Sequence, residues 1–346
     1  MIARFTCFIV LLIPSLSWAS WYFVSPSGDD NASGLSPDKA HKTINTTLAR
    51  MYPGDTLYLM PGEYNQTMTT QVSGTAKQPI KVLGSKSAII RGGTRHLIVE
   101  INHSYHRFSG FVVNGKSQDG SQSAHYKNKL IEVSSSDEGV VQKVTLANLD
   151  IQQALEECVR IRRNSSHIYL LDNTISHCGL AISQFQGQQS NGEAVYLGSA
   201  PEKRKTGEHD FPHNIVIRDN QISGPIGECV DIKEDVHSVE IINNSCAGAW
   251  EENSGAINIR GSENLIIGNV VIGTVASGIR IGGDTDKNAI NNIIVNNRLI
   301  HNTNGGIKIM GWPNLLCGNS SQQAGDVKDV RTKSRYPHIA LEHCHD

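Results

Sequence analysis

Six short segments in the second half of the chain repeat one pattern: Glu157–Arg162, Glu193–Gly198, Glu228–Lys233, Gly255–Arg260, Ser277–Gly282 and Gly305–Met310. Their starts lie 36, 35, 27, 22 and 28 residues apart. The third and fifth positions are always Val, Ile or Leu, while the fourth and sixth are mostly polar. That alternation predicts strands with one face buried and one in solvent. Each is followed by a second apolar run ending near an asparagine, as in His167–Asn173, Asn214–Asn220, Ser238–Asn244, Asn264–Asn269 and Asn292–Asn297. Asparagine tolerates left-handed backbone angles, and stacked copies can bond to one another as a ladder. A short coil of two or three strands, repeated with loops of variable length, predicts an all-β solenoid, a parallel β-helix.

The N-terminal third fits the same architecture behind a cap. Lys42–Met51 places Ile44, Leu48 and Met51 on one face, which predicts a short helix over the open end. Tyr52–Tyr64 then reads as a turn, a strand and a second turn. Further strands are expected at Ile80–Leu83, Ala88–Ile90, Leu97–Ile101, Arg107–Val113, Leu130–Val133 and Val144–Leu149. No linker separates the halves, so residues 20–320 form one domain, and residues 321–346 read as a tail.

With 38% hydrophobic and 18% charged residues in 346, the chain can bury a substantial core and is not disordered. At the start, Arg4 precedes an apolar run from Phe5 to Ile13, and Ser17-Trp18-Ala19 supplies small residues for cleavage. Residues 1–19 are therefore expected to be a secretory signal, and the mature protein to be secreted or periplasmic with no membrane attachment. Removing that segment leaves 30 basic against 33 acidic residues, which argues against general nucleic-acid binding. Six cysteines remain (Cys158, Cys178, Cys229, Cys246, Cys317 and Cys344), and an exported chain permits them to pair. Cys317 with Cys344 is the one pairing expected. A monomer is expected.

A solenoid turns sequence columns into spatial ladders about 4.8 Å apart. The fourth column reads Arg160, Tyr196, Asp231, Asn258, Arg280, Lys308, and the sixth reads Arg162, Gly198, Lys233, Arg260, Gly282, Met310. On an exposed face these make a basic stripe suited to an extended anionic polymer, or else ordinary solvated charge. Glu193 and Glu228 share the first column on neighbouring coils, and Asp231 lies beside Lys233. Carboxylates stacked at that spacing call for a cation, and hard oxygen ligands point to Ca²⁺. The alternative is neutralisation by Lys233, Arg260 and Arg162 as a salt-bridge network.

Gly227–Glu234, Asn243-Asn244, Ile257–Gly261 and Ile266–Asn269 together resemble the active-site region of polysaccharide lyase family six, the chondroitinase B and alginate lyase family. Pro53-Gly-Asp55, Pro61–Tyr64, Gln78-Pro-Ile80 and Phe108–Gly115 resemble its first half, and Val24–Gly28 resembles other exported pectate-lyase-like β-helices. The resemblance implies a right-handed helix, in line with the handedness of parallel crossovers. It also implies Lys233 as Brønsted base, Arg260 as catalytic arginine and Glu228 as calcium ligand. A second family glutamate would fall on Ile226, which binds no metal, and the family's serine after the lysine is Glu234 here. Asp231 or Glu193 is the candidate replacement ligand, and Asn191 lies nearby.

The expected activity is cleavage of a uronate-containing polysaccharide by Ca²⁺-assisted β-elimination. Arg160, Arg162, Asn258, Arg280 and Lys308 would bind the polymer. A lysine flanked by arginines and a cation should have its ammonium form disfavoured. Tyr196 is either the proton donor or a packing residue, and Trp250 either stacks on a sugar or packs. The loops Ser183–Gly192, Ser199–His213 and Ala249–Ser254 would wall the groove. Two rivals keep the same stripe, a non-catalytic polysaccharide-binding or adhesion solenoid and a uronate epimerase. A glycoside hydrolase is less favoured, because its two carboxylates would have to come from the metal ligands.

Overall fold

The computed structural model describes residues 19–117, 122–135, 139–185, 191–204, 210–283, 288–322 and 330–332. Residues 1–18 of the expected signal and Cys344 of the expected Cys317–Cys344 pair lie outside the described residues. The chain winds as a right-handed parallel β-helix with three sheets of 11, 10 and 10 strands among the described residues. Each coil contributes one strand to each sheet, and every strand pairing within the sheets is parallel.

The six repeats stack in the register their pattern implies. Val159, Val195, Val230, Ile257, Ile279 and Ile307 pair in sequence across one ten-stranded sheet, called here the site sheet. They point inward with Ile161, Leu197, Ile232, Ile259, Ile281 and Ile309 and are buried in one continuous core. Burying each such side chain stabilises the coil by about 1.5–3 kcal/mol. A slip by one residue would turn both apolar columns outward, so the register is strongly specified.

Inside one turn, Asn173, Asn220, Asn244, Asn269, Asn297 and Asn319 form the expected ladder. Each Oδ1 accepts from the backbone N–H and the Nδ2 of the asparagine one coil earlier, at 2.9–3.0 Å. The left-handed residue is the one before each ladder asparagine: Asp172, Asp219, Asn243, Gly268, Asn296 and Gly318, with φ of 54–67°. That turn swings the asparagine side chain inward, where a second amide is its natural partner.

The capping helix is shorter than expected, Ile44–Leu48, but buries the residues that predicted it, Ile44, Leu48 and nearby Met51. Asn45 bonds to the edge strand Met68–Thr69, accepting from Thr69 N–H at 2.9 Å and donating to Thr67 O at 3.0 Å. The sheet edge is thus occupied, not offered to another chain. Arg107–Val113, expected as one strand, is two, His106–Ser109 and Val112–Asn114, because Gly110 turns a corner at φ 91°. A last strand, Val330–Thr332, lies within the stretch read as a tail and extends the site sheet.

Candidate active site

The repeat strands Val159–Arg162, Val195–Leu197, Val230–Ile232 and Gly255–Ile259 carry the candidate residues on successive coils. The fourth column is in the expected register, Arg160 beside Tyr196, Asp231, Asn258, Arg280 and Lys308. Its middle is not an exposed face: Tyr196 is 3% exposed, Asp231 1% and Asn258 3%. Alternation predicted only that these side chains leave the core, and the neighbouring side chains then close over them.

Glu193, Glu228 and Asp231 converge, with one ligand oxygen from each lying within 4.8 Å of the others. Two glycines explain the approach. Gly192 and Gly227 precede the two glutamates and lie back to back, so that a Cβ on Gly227 would sit 3.2 Å from the Gly192 backbone. Gly227 N–H also donates to Gly192 O at 2.7 Å, which locks the two coils together. Lys233 Nζ lies 2.5 Å from Asp231 Oδ2 and 4.8 Å from the centre of the Tyr196 ring. Asn258 Nδ2 donates to Asp231 Oδ1 at 2.9 Å, and Arg280 donates to Asn258 Oδ1 at 2.9 Å. A relay of side chains therefore fixes Asp231 from the far side.

The cluster is electrostatically unbalanced. Three carboxylates face one directly paired cation, Lys233, a formal −3 against +1. Burial pushes the Glu228 carboxyl up to about 8, and the Asp231 charge adds to it. Burial, then the charges of Glu228, Asp231 and Glu157, hold Glu193 well above the usual carboxylate range. Burial disfavours the Lys233 ammonium, but Asp231, Tyr196 and Glu193 outweigh it and hold its pKa above the usual lysine range. This reverses the expectation of a free amine, because the nearest charges are carboxylates and not arginines. Tyr196 is pushed up to about 12, chiefly by burial.

The arginines of the sixth column are engaged elsewhere. Arg260 pairs with Glu234, and Arg162 Nε lies 2.9 Å from Asp210 Oδ2. Asp210 also accepts from Arg163 N–H, at 2.5 Å. Of the salt bridges in the alternative, Lys233 with Asp231 is present, whereas Arg162 and Arg260 pair with acids outside the carboxylate cluster. Arg160 lies 3.8 Å from Glu157 and 5.4 Å from the Tyr196 ring, and Lys308 Nζ donates to Asn253 O at 3.4 Å.

Asn191 donates to Glu157 Oε1 at 2.9 Å. Ile226 is fully buried in the core. Trp250 is half-buried against Gly192. Parts of the expected walls, 186–190 and 205–209, lie outside the described residues. Glu157, Glu234 and Asp210 were not picked out as site residues from sequence. The first-column position of Glu157 was a usable signal; Asp210 sits in an insertion with no period and offered none.

The donor set suits a hard divalent cation. Three carboxylates supply only oxygens, their excess charge equals that of one such ion, and Ca²⁺ takes six to eight oxygens in flexible geometry. Glu193, Glu228 and Asp231 are the residues that would hold it.

No protein-family model and no curated protein sequence matches the chain. Among solved structures it is similar to an alginate lyase from Paenibacillus sp. str. FPU-7, with TM-score 0.67 and 18% identity over 84% of this chain and 95% of that one. It is also similar to DFA-IIIase from Arthrobacter chlorophenolicus A6 without its lid, with TM-score 0.58 and 14% identity over 90% and 92%. Pectate lyase Pel9A follows with TM-score 0.51 and 15% identity over 92% and 80%. At these identities the likeness is one of fold, and the fold is the right-handed parallel β-helix.

Proposed function

We propose that the chain is an exported polysaccharide lyase that cleaves a uronate-containing acidic polysaccharide by β-elimination, with Ca²⁺ held by Glu193, Glu228 and Asp231. The observation that carries this reading is the single buried cluster those carboxylates form with Lys233 and Tyr196 on successive coils. The shared fold with an alginate lyase and a pectate lyase supports it.

Bound calcium would neutralise the substrate carboxylate and lower the energy of the enolate-like charge beside it. Lys233 accepts the proton from the carbon next to that carboxylate. The electron pair forms the new C=C bond, the C–O bond on the neighbouring carbon breaks, and the leaving oxygen takes a proton from Tyr196. Lys233 must be a neutral amine to do this, so the acids that stabilise its ammonium must themselves be neutralised first. Arg260 acts through charge alone, since a guanidinium does not give up its proton in a protein. Its pairing with Glu234 sets where that charge lies. Arg160, Arg162, Arg280 and Lys308 flank the cluster and would contact the polymer beyond the cleaved bond, whereas Asn258, expected among them, is buried and holds Asp231 instead.

One observation favours a second reading. Glu193 and Glu228 bring carboxylate oxygens within 4.8 Å of each other, close to the about 5–5.5 Å that separates the acid and nucleophile of a retaining glycosidase, and the raised carboxyl of Glu228 suits the acid. The test separates the two. The mature protein is incubated with alginate, dermatan sulfate, chondroitin sulfate and polygalacturonate, with Ca²⁺ or a chelator, beside Lys233→Ala. A lyase produces ultraviolet absorbance from unsaturated uronate, and Lys233→Ala lowers its rate at least about 1,000-fold. New reducing ends without absorbance mean hydrolysis. Binding without product, equal in both proteins, means an adhesion module, and proton exchange without cleavage means an epimerase.

A further inference from the structure

Two disulfides have both cysteines among the described residues, Cys158–Cys178 and Cys229–Cys246, and all four cysteines are buried. In each, the first cysteine directly follows a first-column glutamate, Glu157 or Glu228. The other four coils hold Ala194, Ala256, Gly278 and Gly306 at that position. The bridges therefore brace the backbone behind two of the three stacked glutamates.

Those two glutamates differ in what they face. Glu157 has cations of its own, with Lys129 Nζ at 3.6 Å and Arg160 Nε at 3.8 Å. Glu228 faces Glu193 on the neighbouring coil and Asp231 on its own, with one carboxylate oxygen from each lying within 4.8 Å of the others. What holds Glu228 in place is the ladder, with Ala194 N–H donating to Glu228 O and Cys229 N–H to Ala256 O, both at 2.8 Å, and the disulfide behind it. Its far end, Cys246, lies in the strand Ser245–Ala247, which is bonded on both sides to Gln221–Ser223 and Val270–Ile272.

We infer that the Cys229–Cys246 disulfide is a positioning element of the cation site, holding Glu228 against its like-charged neighbours, whereas Cys158–Cys178 braces the fold alone. This rests on the cation reading given above. Supporting shells of this kind change metal affinity about 10–100-fold when removed, without contributing a ligand.

The test measures Ca²⁺ affinity by competition against a fluorescent chelator, well below each protein's unfolding temperature. It compares the intact chain, Cys229→Ala with Cys246→Ala, and Cys158→Ala with Cys178→Ala. Cys229→Val with Cys246→Ala refills the lost volume should the first pair fold poorly. The Cys229 pairs should lose affinity at least about tenfold. The Cys158 pair should match the intact chain even where its melting temperature falls as far. Equal losses in both pairs, or none in the Cys229 pairs, would overturn the assignment. An intact chain that takes up no Ca²⁺ would instead overturn the cation reading on which it stands.

Discussion

Two columns of the molecule, the asparagine ladder and the carboxylates of the site sheet, stack like side chains with opposite electrostatic results. The asparagine ladder repeats a group that both donates and accepts, so every copy satisfies the one before it. The carboxylate column on the site sheet repeats a group that, once ionised, only accepts. Glu193 and Glu228, joined by Asp231, cannot donate to one another, Lys233 is the cation paired with them, and burial together with their mutual charge raises the pKa values of the two glutamates. The first stack is complete without a ligand; the second is complete only with a proton or a cation. A repeat fold can therefore turn a column into structure or into a site by changing one functional group.

The largest expected consequence is in the pH dependence of stability. The Glu228 carboxyl titrates near the ordinary 4.5 when unfolded and is pushed up to about 8 when folded, chiefly by burial. The folded state thus binds more protons between those values, so stability is greatest below the lower one and falls as pH rises through the upper. The loss is at most about 5 kcal/mol. Melting curves from pH 5 to 9 should show this decline without Ca²⁺ and lose it when Ca²⁺ is added. A flat calcium-free profile would mean that the column carries no strain.

Breaking the other stack should look different. Asn220→Ala removes the acceptor for Asn173 and the donor to Leu170 O, leaving buried backbone groups unpaired. It should cost about 3 kcal/mol in a denaturant titration, equally with and without Ca²⁺. A smaller effect, about 1–2 kcal/mol, is expected for Gly227→Ala, whose Cβ presses on the Gly192 backbone. Because that pushes Glu193 and Glu228 apart, its cost should shrink at high pH without Ca²⁺, where their repulsion is strongest.

Much of this was legible in the order of residues. The inward columns, their register and the asparagine ladder follow from alternation plus a period, because a solenoid keeps sequence columns as spatial ones. For the same reason the meeting of Glu193, Glu228 and Asp231 could be anticipated. What a column cannot reveal is what else arrives beside it. Asp210 and Glu234 take Arg162 and Arg260 away from the cluster, so the charge state of Lys233 came out reversed. Burial of Tyr196 and Asn258 depends on neighbours that no period encodes. Cysteine pairing was hidden likewise, since it depends on which side chains point inward on adjoining coils.

The claim at the centre of this account is that the carboxylate column needs a cation. Calorimetric titration of Ca²⁺ at pH 7, in two buffers of different ionisation heat, tests it most directly. At that pH Glu228 is still largely protonated without metal, so uptake of one ion should release at least one proton and the heat should depend on the buffer. Glu228→Gln should abolish both the binding and that dependence. No uptake at pH 7, with the carboxyls keeping their protons, would contradict the account.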